Sequence, residues 1–119
     1  MERIGSEFNI TGDSNRNDKS ITAIDDNKFL IVWKLYNAPY NIYIQMWQAN
    51  NVATAICSPV ILYESTSRYY ATPAIIYLRN KRFAIVFTST DQRIVLRFGE
   101  DKSSDPNSVE KISLGELIY

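Results

Sequence analysis

Phe29-Leu-Ile-Val-Trp33 and Phe83-Ala-Ile-Val-Phe87 are near-copies of one apolar run, and each follows a short polar turn, Asp25-Asp-Asn-Lys28 in the first case and Arg79-Asn-Lys-Arg82 in the second. β-Branched and aromatic side chains in short runs suit a pleated, extended backbone, and polar turns of that length join antiparallel neighbours. Each motif therefore predicts a β-hairpin, with Asn27 and Asn80 as the residues that take positive φ. Because the runs are apolar at every position, both faces of each strand are expected to be covered.

Further runs of strand composition lie on either side: Ile42-Tyr-Ile-Gln-Met-Trp47, Val60-Ile-Leu-Tyr63, Ala74-Ile-Ile-Tyr-Leu78 and Ile94-Val-Leu-Arg-Phe98. No window of helical period competes with them. The runs recur. Phe29 to Trp33 aligns with Phe83 to Phe87 at an offset of 54 (83 − 29), Tyr43 to Trp47 with Ile94 to Phe98 at 51 (98 − 47), and Phe8-Asn-Ile10 with Val60 to Leu62 at 52 (60 − 8). One unit reads strand, long loop, strand, tight turn, strand, loop, strand, and Glu116-Leu-Ile-Tyr119 is a candidate third copy of the opening strand. The fold class is all-β and antiparallel: a single domain over 1–119 made of two repeats, about 6–57 and 58–119. Repetition near this length with two-sided burial favours two four-stranded β-propeller-type blades, the alternative being a β-sandwich.

Composition limits the chemistry. Thirteen basic and thirteen acidic side chains cancel, which removes the field that would draw nucleic acid or an anionic membrane. No apolar run approaches a membrane span, and Met1 to Gly12 lacks the apolar stretch of a signal peptide. Gly5-Ser-Glu-Phe8 is what two adjacent cloning sites encode, so residues 1–8 are candidates for a vector-derived segment. With no histidine, catalysis by Ser-His-Asp or Cys-His within one chain is excluded, and four scattered glycines make no phosphate-cradling loop. The expectation is a chain that is not an enzyme and takes no cofactor. The adjacent acids Asp25-Asp26 and Glu100-Asp101 read as solvated turn residues. The single Cys57 reads as a small buried hydrophobe, and Trp33 and Trp47 as core.

Ile4-Gly-Ser-Glu-Phe-Asn-Ile10, Ser20-Ile-Thr-Ala-Ile-Asp-Asp-Asn-Lys-Phe-Leu-Ile-Val-Trp33 and Asn41-Ile-Tyr-Ile-Gln-Met-Trp47 together resemble the tandem repeats of large secreted and surface proteins of bacteria and ciliates. Those repeats run G-x-E-F-x-V-N, long polar loop, aliphatic strand, D-G-x-F-V-V-x-W, polar loop, I-Y-x-Q-x-F. The resemblance implies propeller-like blades and an extracellular or surface location. It extends over residues 4–47 and, more loosely, 58–98. Asn27-Lys28 stands where the turn glycines would be, and Leu96 takes the place of Gln45 in the second unit. Tyr70-Ala-Thr-Pro-Ala-Ile-Ile-Tyr-Leu78 is similar to the first blade of sialidases, but Ala71 occupies the position of the arginine that would clamp a substrate carboxylate.

In such blades alternate connections share a rim. With Ser20 to Ile24 as first strand, one rim carries the loops 11–19, 34–41, 64–71 and 88–92, and the other carries the two hairpin turns with the segments 48–58 and 99–108. Tyr36, Tyr40, Arg68, Tyr69 and Tyr70 gather on the first rim, where aromatic faces and a guanidinium suit a sugar or peptide ligand. The alternative is that these tyrosines cap the blade edges. Asp13-Ser-Asn-Arg-Asn-Asp18 has the alternate oxygen ligands of a calcium loop without its glycine or distal glutamate, so no metal is expected. Asn9-Ile-Thr11 has the pattern of a glycosylation sequon. Two blades cannot close a ring, and an open pair leaves an apolar face in water. The expected partners are therefore further copies, as in small lectins with two blades per chain that this chain resembles in size and repeat count, or the rest of a larger propeller.

Overall fold

Both hairpins form where the sequence places them. The computed structural model describes residues 16–24, 27–35, 40–50, 52–65 and 72–119. Its strands are β1 (Arg16–Ile24), β2 (Lys28–Leu35), β3 (Ile42–Ala49), β4 (Ala53–Ala55), β5 (Val60–Tyr63), β6 (Ala74–Arg79), β7 (Arg82–Thr88), β8 (Ile94–Asp101) and β9 (Ile112–Leu114). Asn27 has φ 60°, and Asn80 and Lys81 have φ 53° and 65° in the two-residue turn that sets Arg79 opposite Arg82. Consecutive positive φ values match the right-handed twist of the flanking strands, which explains Asn at the first turn position.

The chain is all-β and antiparallel. One sheet runs β1-β2-β3 with β4 and β5 both on the far edge of β3, and the other runs β6-β7-β8-β9. Neither sheet is closed into a barrel, and the pair is consistent with two four-stranded blades or with a sandwich.

The two sheets repeat each other strand for strand. Trp47 to Ala49 pair with Ala55 to Ala53, as Gly99 to Asp101 pair with Leu114 to Ile112. Further along the same edges, Ile44 pairs with Val60, and Leu96 bridges to Ile118 through Ile118 N–H to Leu96 O at 2.8 Å and Leu96 N–H to Ile118 O at 2.9 Å. The opening strand of the second unit thus completes the first sheet, and residues near 118 do the same for the second. Sheet and sequence repeat are out of phase by one strand.

Three sequence expectations are corrected. Phe29 stands opposite Trp47 and Phe83 opposite Gly99, so the last strand of the unit repeats at an offset of 52 (99 − 47), not 51. The aromatic match of Trp47 to Phe98 is a one-residue slip, and in a strand such a slip exchanges the faces. Second, β1 begins at Arg16 instead of Ser20, with Arg16 opposite Leu35 and an irregularity between Asn17 and Lys19. The eight-residue β2 offers backbone partners to Leu35, and the polar residues 16–19 pair with it at the end of the ladder. Third, Glu100 and Asp101 lie in β8, where Asp101 is 4 % exposed.

Even-numbered side chains of the first sheet meet the second. Ile24, Leu30, Val32, Ile42, Ile44 and Met46 pack with Ile75, Phe83, Ile85, Phe87 and Val95 in one core, each fully buried aliphatic chain contributing about 1.5–3 kcal/mol. The odd face of the first sheet holds a second cluster of Ile31, Trp33 and Trp47, with Trp33 stacked on Tyr43 at 5.8 Å. Two-sided burial therefore holds for the first sheet, and both tryptophans are core. It fails for the second, where Val86 and Phe98 are exposed.

The sheets are joined at their inner edges and at both rims. β6 presents the N–H groups of Ile75 and Tyr77 to the hydroxyls of Ser20 and Thr22 on β1, each at 3.3 Å. These contacts satisfy donors of an otherwise open strand edge. At the hairpin rim Lys28 pairs with buried Asp101 (3.6 Å) and donates to Ser103 Oγ (2.8 Å), while Asp101 accepts from Ser103 N–H (2.8 Å).

Candidate functional site

The loop rim is tied together by buried polar groups from both sheets. One residue before the end of β2, Lys34 is 1 % exposed because its even position points into the space between the sheets. Lys34 Nζ donates to Ser65 Oγ at 3.3 Å, and Ser65 N–H donates to Asn41 Oδ1 at 3.2 Å. Ser65 Oγ lies 3.4 Å from Thr90 Oγ1, and Thr90 N–H donates to Tyr63 Oη at 3.0 Å. Tyr63 rests on Phe87 with ring centroids 4.9 Å apart. Asn41 at the start of β3 and Ser65 just after β5 are thereby fixed to the loop after β7. Buried polar groups have to be satisfied in this way, and a satisfied network holds one loop geometry against others.

Tyr40 adjoins the network. It is half-buried, takes φ 55°, and precedes Asn41, whose carbonyl receives Leu35 N–H at 3.2 Å. A left-handed tyrosine is a strained conformation held by its surroundings, here beside the Leu35–Asn41 hydrogen bond at the ends of β2 and β3. Of the other rim residues read from the sequence, Tyr36, Arg68, Tyr69 and Tyr70 lie outside the described residues, as do Asp25-Asp26, the Asn9 sequon and residues 13–15 of the Asp13–Asp18 loop. The structure brings Tyr40 alone of the five to a described place on the rim.

Next to the network, Ser89 Oγ donates to Asp91 Oδ1, and Arg93 Nε donates to Asp91 Oδ2 at 2.7 Å. The Ser89 hydroxyl, with Arg93 behind it, holds the Asp91 carboxyl below the usual carboxylate range. Arg93 also lies over the Tyr119 ring at 4.5 Å from the centroid.

Lys34 beside Ser65 has the composition of a lysine-activated nucleophile. Such a pair needs a neutral amine that takes the hydroxyl proton and a hydroxyl that a substrate carbonyl can approach. Here Ser65 is 5 % exposed and its Oγ receives a lysine N–H, an arrangement that ties loops together. Among the described residues, no group of three or more His, Cys, Asp or Glu side chains is placed to hold a metal, and no helix is long and apolar enough to cross a membrane.

Arg97 carries a further contact between the sheets. It donates from Nε to Gly115 O and from Nη1 to Leu62 O, both at 2.6 Å, and burial pushes its guanidinium pKa down. It borders an open cleft of about 520 Å³ between the loop before β5 and the segment 109–114. Cys57 lines the same cleft and is half-buried, not fully buried, while its carbonyl receives Gln45 Nε2–H at 2.9 Å. With both bonds spent on backbone carbonyls, Arg97 serves as a clamp for β5 and the C-terminal segment.

Lys34, Asn41, Ser65 and Thr90 were not among the residues the sequence marked. Lys34 interrupts the apolar text right after Trp33, and a lysine at the inward parity of a buried strand is the one signal that could have marked it.

No family model matches the chain, and neither a curated protein nor a solved structure matches it.

Proposed function

We propose that the chain is a non-catalytic binding or adhesion module, with a carbohydrate as the leading ligand class, built of propeller-like sheets that self-associate or form part of a larger propeller. The observation that carries this reading is the cross-tied loop rim. Among the described residues, Asn41, Ser65 and Thr90, where three rim loops meet their strands, are held to one another and to Lys34, so the base of the rim is fixed before any ligand arrives, and a preorganised base lowers the entropy cost of binding. Tyr36, Tyr40, Arg68, Tyr69 and Tyr70 belong by sequence to that rim and supply stacking faces and a hydrogen-bonding fork suited to sugar rings.

An array of immobilised oligosaccharides tests it, using the purified chain and its Tyr69→Ala/Tyr70→Ala and Tyr40→Ala variants. Binding to a defined glycan class that falls at least tenfold in the variants is expected. A chain that binds nothing, or one whose binding ignores the rim variants, contradicts the proposal.

A second reading is favoured by a separate observation. The far face of the second sheet is apolar and exposed at Ile76, Leu78, Val86 and Phe98, as it would be in a structural subunit that uses that face as an interface and has no small ligand. Failure of the glycan array together with stable self-association would select it.

A further inference from the structure

The even positions of β6, β7 and β8 point away from the shared core, and six exposed side chains stand on that face: Ile76 (60 % exposed), Leu78, Val86, Ile94 (75 % exposed), Phe98 and, across from Leu96, Ile118. The register of the repeat matches Val86, Ile94 and Phe98 with Val32, Ile42 and Met46 of the first sheet, and Leu78, at the irregularity between Tyr77 and Arg79, follows Tyr77 as Ile24 follows Ala23. All four counterparts are buried beneath the second sheet. The same apolar pattern is covered once and bare once, and bare contiguous apolar area of this kind marks an interface.

The face differs from its counterpart in one respect that indicates what covers it. Ser20 and Thr22, whose hydroxyls seat the N–H groups of Ile75 and Tyr77, are matched in the second sheet by Ala74 and Ile76. A further sheet stacked in the same way would find no acceptors for its edge N–H groups. A flat apolar sheet face needs none. On the first sheet, the odd face has its centre at Ile31, Trp33 and Trp47 already buried, so among the described residues the accessible surface of matching character is this face itself. With a net charge of zero, two copies approach without repulsion.

We propose that two copies of the chain pack this face against itself about a twofold axis, sheet on sheet. An isologous contact of this kind closes after two subunits. The proposal rests on the reading of the chain as a self-associating module and names the surface and the occupant.

Sedimentation velocity on the whole chain at micromolar concentration tests it, with Ile76→Lys and Phe98→Lys on the face and Ile21→Lys on the other exposed sheet surface. The wild type and Ile21→Lys should run as dimers. The two face variants should run as monomers, with association weakened roughly a hundredfold or more by the unpaired buried charges. Because a lysine could perturb folding, Val86→Cys in a Cys57→Ser background gives a second readout, a disulfide-linked dimer on mild oxidation. A wild-type monomer, an assembly heavier than two chains, a dimer that survives both face lysines, or no Val86→Cys cross-link overturns the proposal. Glycan binding that persists in the monomeric face variants leaves the rim reading standing, and loss of glycan binding with the dimer intact removes that reading and spares this one.

Discussion

The ring of Phe83 lies directly against the backbone of Gly99, so that a Cβ placed on Gly99 would come within 2.5 Å of Phe83 Cζ. The two residues are cross-strand partners in β7 and β8, and the buried Phe83 ring occupies the space that a side chain at 99 would need. In the first sheet the matching pair is Phe29 with Trp47, where a second large side chain stands in place of the glycine and both belong to the cluster on the odd face.

Gly99→Ala should therefore destabilise the protein by about 1–3 kcal/mol through overpacking, and Phe83→Leu should recover part of that loss in the double variant. Urea denaturation of the four proteins of the cycle measures the coupling. Equal losses with and without Phe83 would mean that the two residues do not touch.

Removing the hydroxyls of Ser20 and Thr22 frees two donors on β6. Ser20→Ala and Thr22→Val should each cost about 1 kcal/mol, and the amides of Ile75 and Tyr77 should exchange faster while those of β7 keep their protection. Hydrogen exchange followed by NMR reads this residue by residue.

On the loop rim, Ser65→Ala removes one acceptor of the buried Lys34 side chain together with a link between the two sheets and should cost about 1 kcal/mol. Lys34→Met, which keeps the stem and removes the charge, should cost less than Lys34→Ala. Thermal or urea unfolding of the three variants checks the order. An Ala variant as stable as the Met variant would show that the stem does not pack.

The Asp91 carboxyl should titrate below the unperturbed value of 3.8, and Ser89→Ala and Arg93→Gln should each raise its pKa. The sign follows from linkage: a carboxyl whose pKa is lowered by folding adds stability above the unfolded pKa, and that contribution is lost as the pH falls toward the folded value. Carboxyl carbon shifts across an acid titration give both pKa values.

Much of this architecture is legible in the residues because local chemistry dictates it. Asn27 and Asn80 announce turns that need positive φ, and the runs 29–33 and 83–87 announce paired strands. The register of the last strand is not legible in the same way. Trp47 and Phe98 look equivalent by size, but the connection from Lys34 to Ile42 differs in length from that between Thr88 and Ile94, and the ladder follows the connection. Ala53–Ala55 and Ile112–Leu114 are too short to read as strands and exist because β3 and β8 offer them an edge. The rim network joins Lys34, Asn41, Ser65 and Thr90, which are far apart in the chain, and convergence of that kind becomes visible only when the sheets are placed. The open face of the second sheet was hidden for the opposite reason. Its run 83–87 is as apolar as 29–33, and only the placement of a neighbouring sheet on one side distinguishes them.

The register of β7 against β8 decides which face of the second sheet is core and which is bare, and the rest of the account depends on it. Cross-strand nuclear Overhauser effects between backbone protons of these strands measure it directly. The account predicts contacts between Phe83 and Gly99 and between Ile85 and Arg97; contacts between Phe83 and Phe98 instead would turn the even face inward and contradict it.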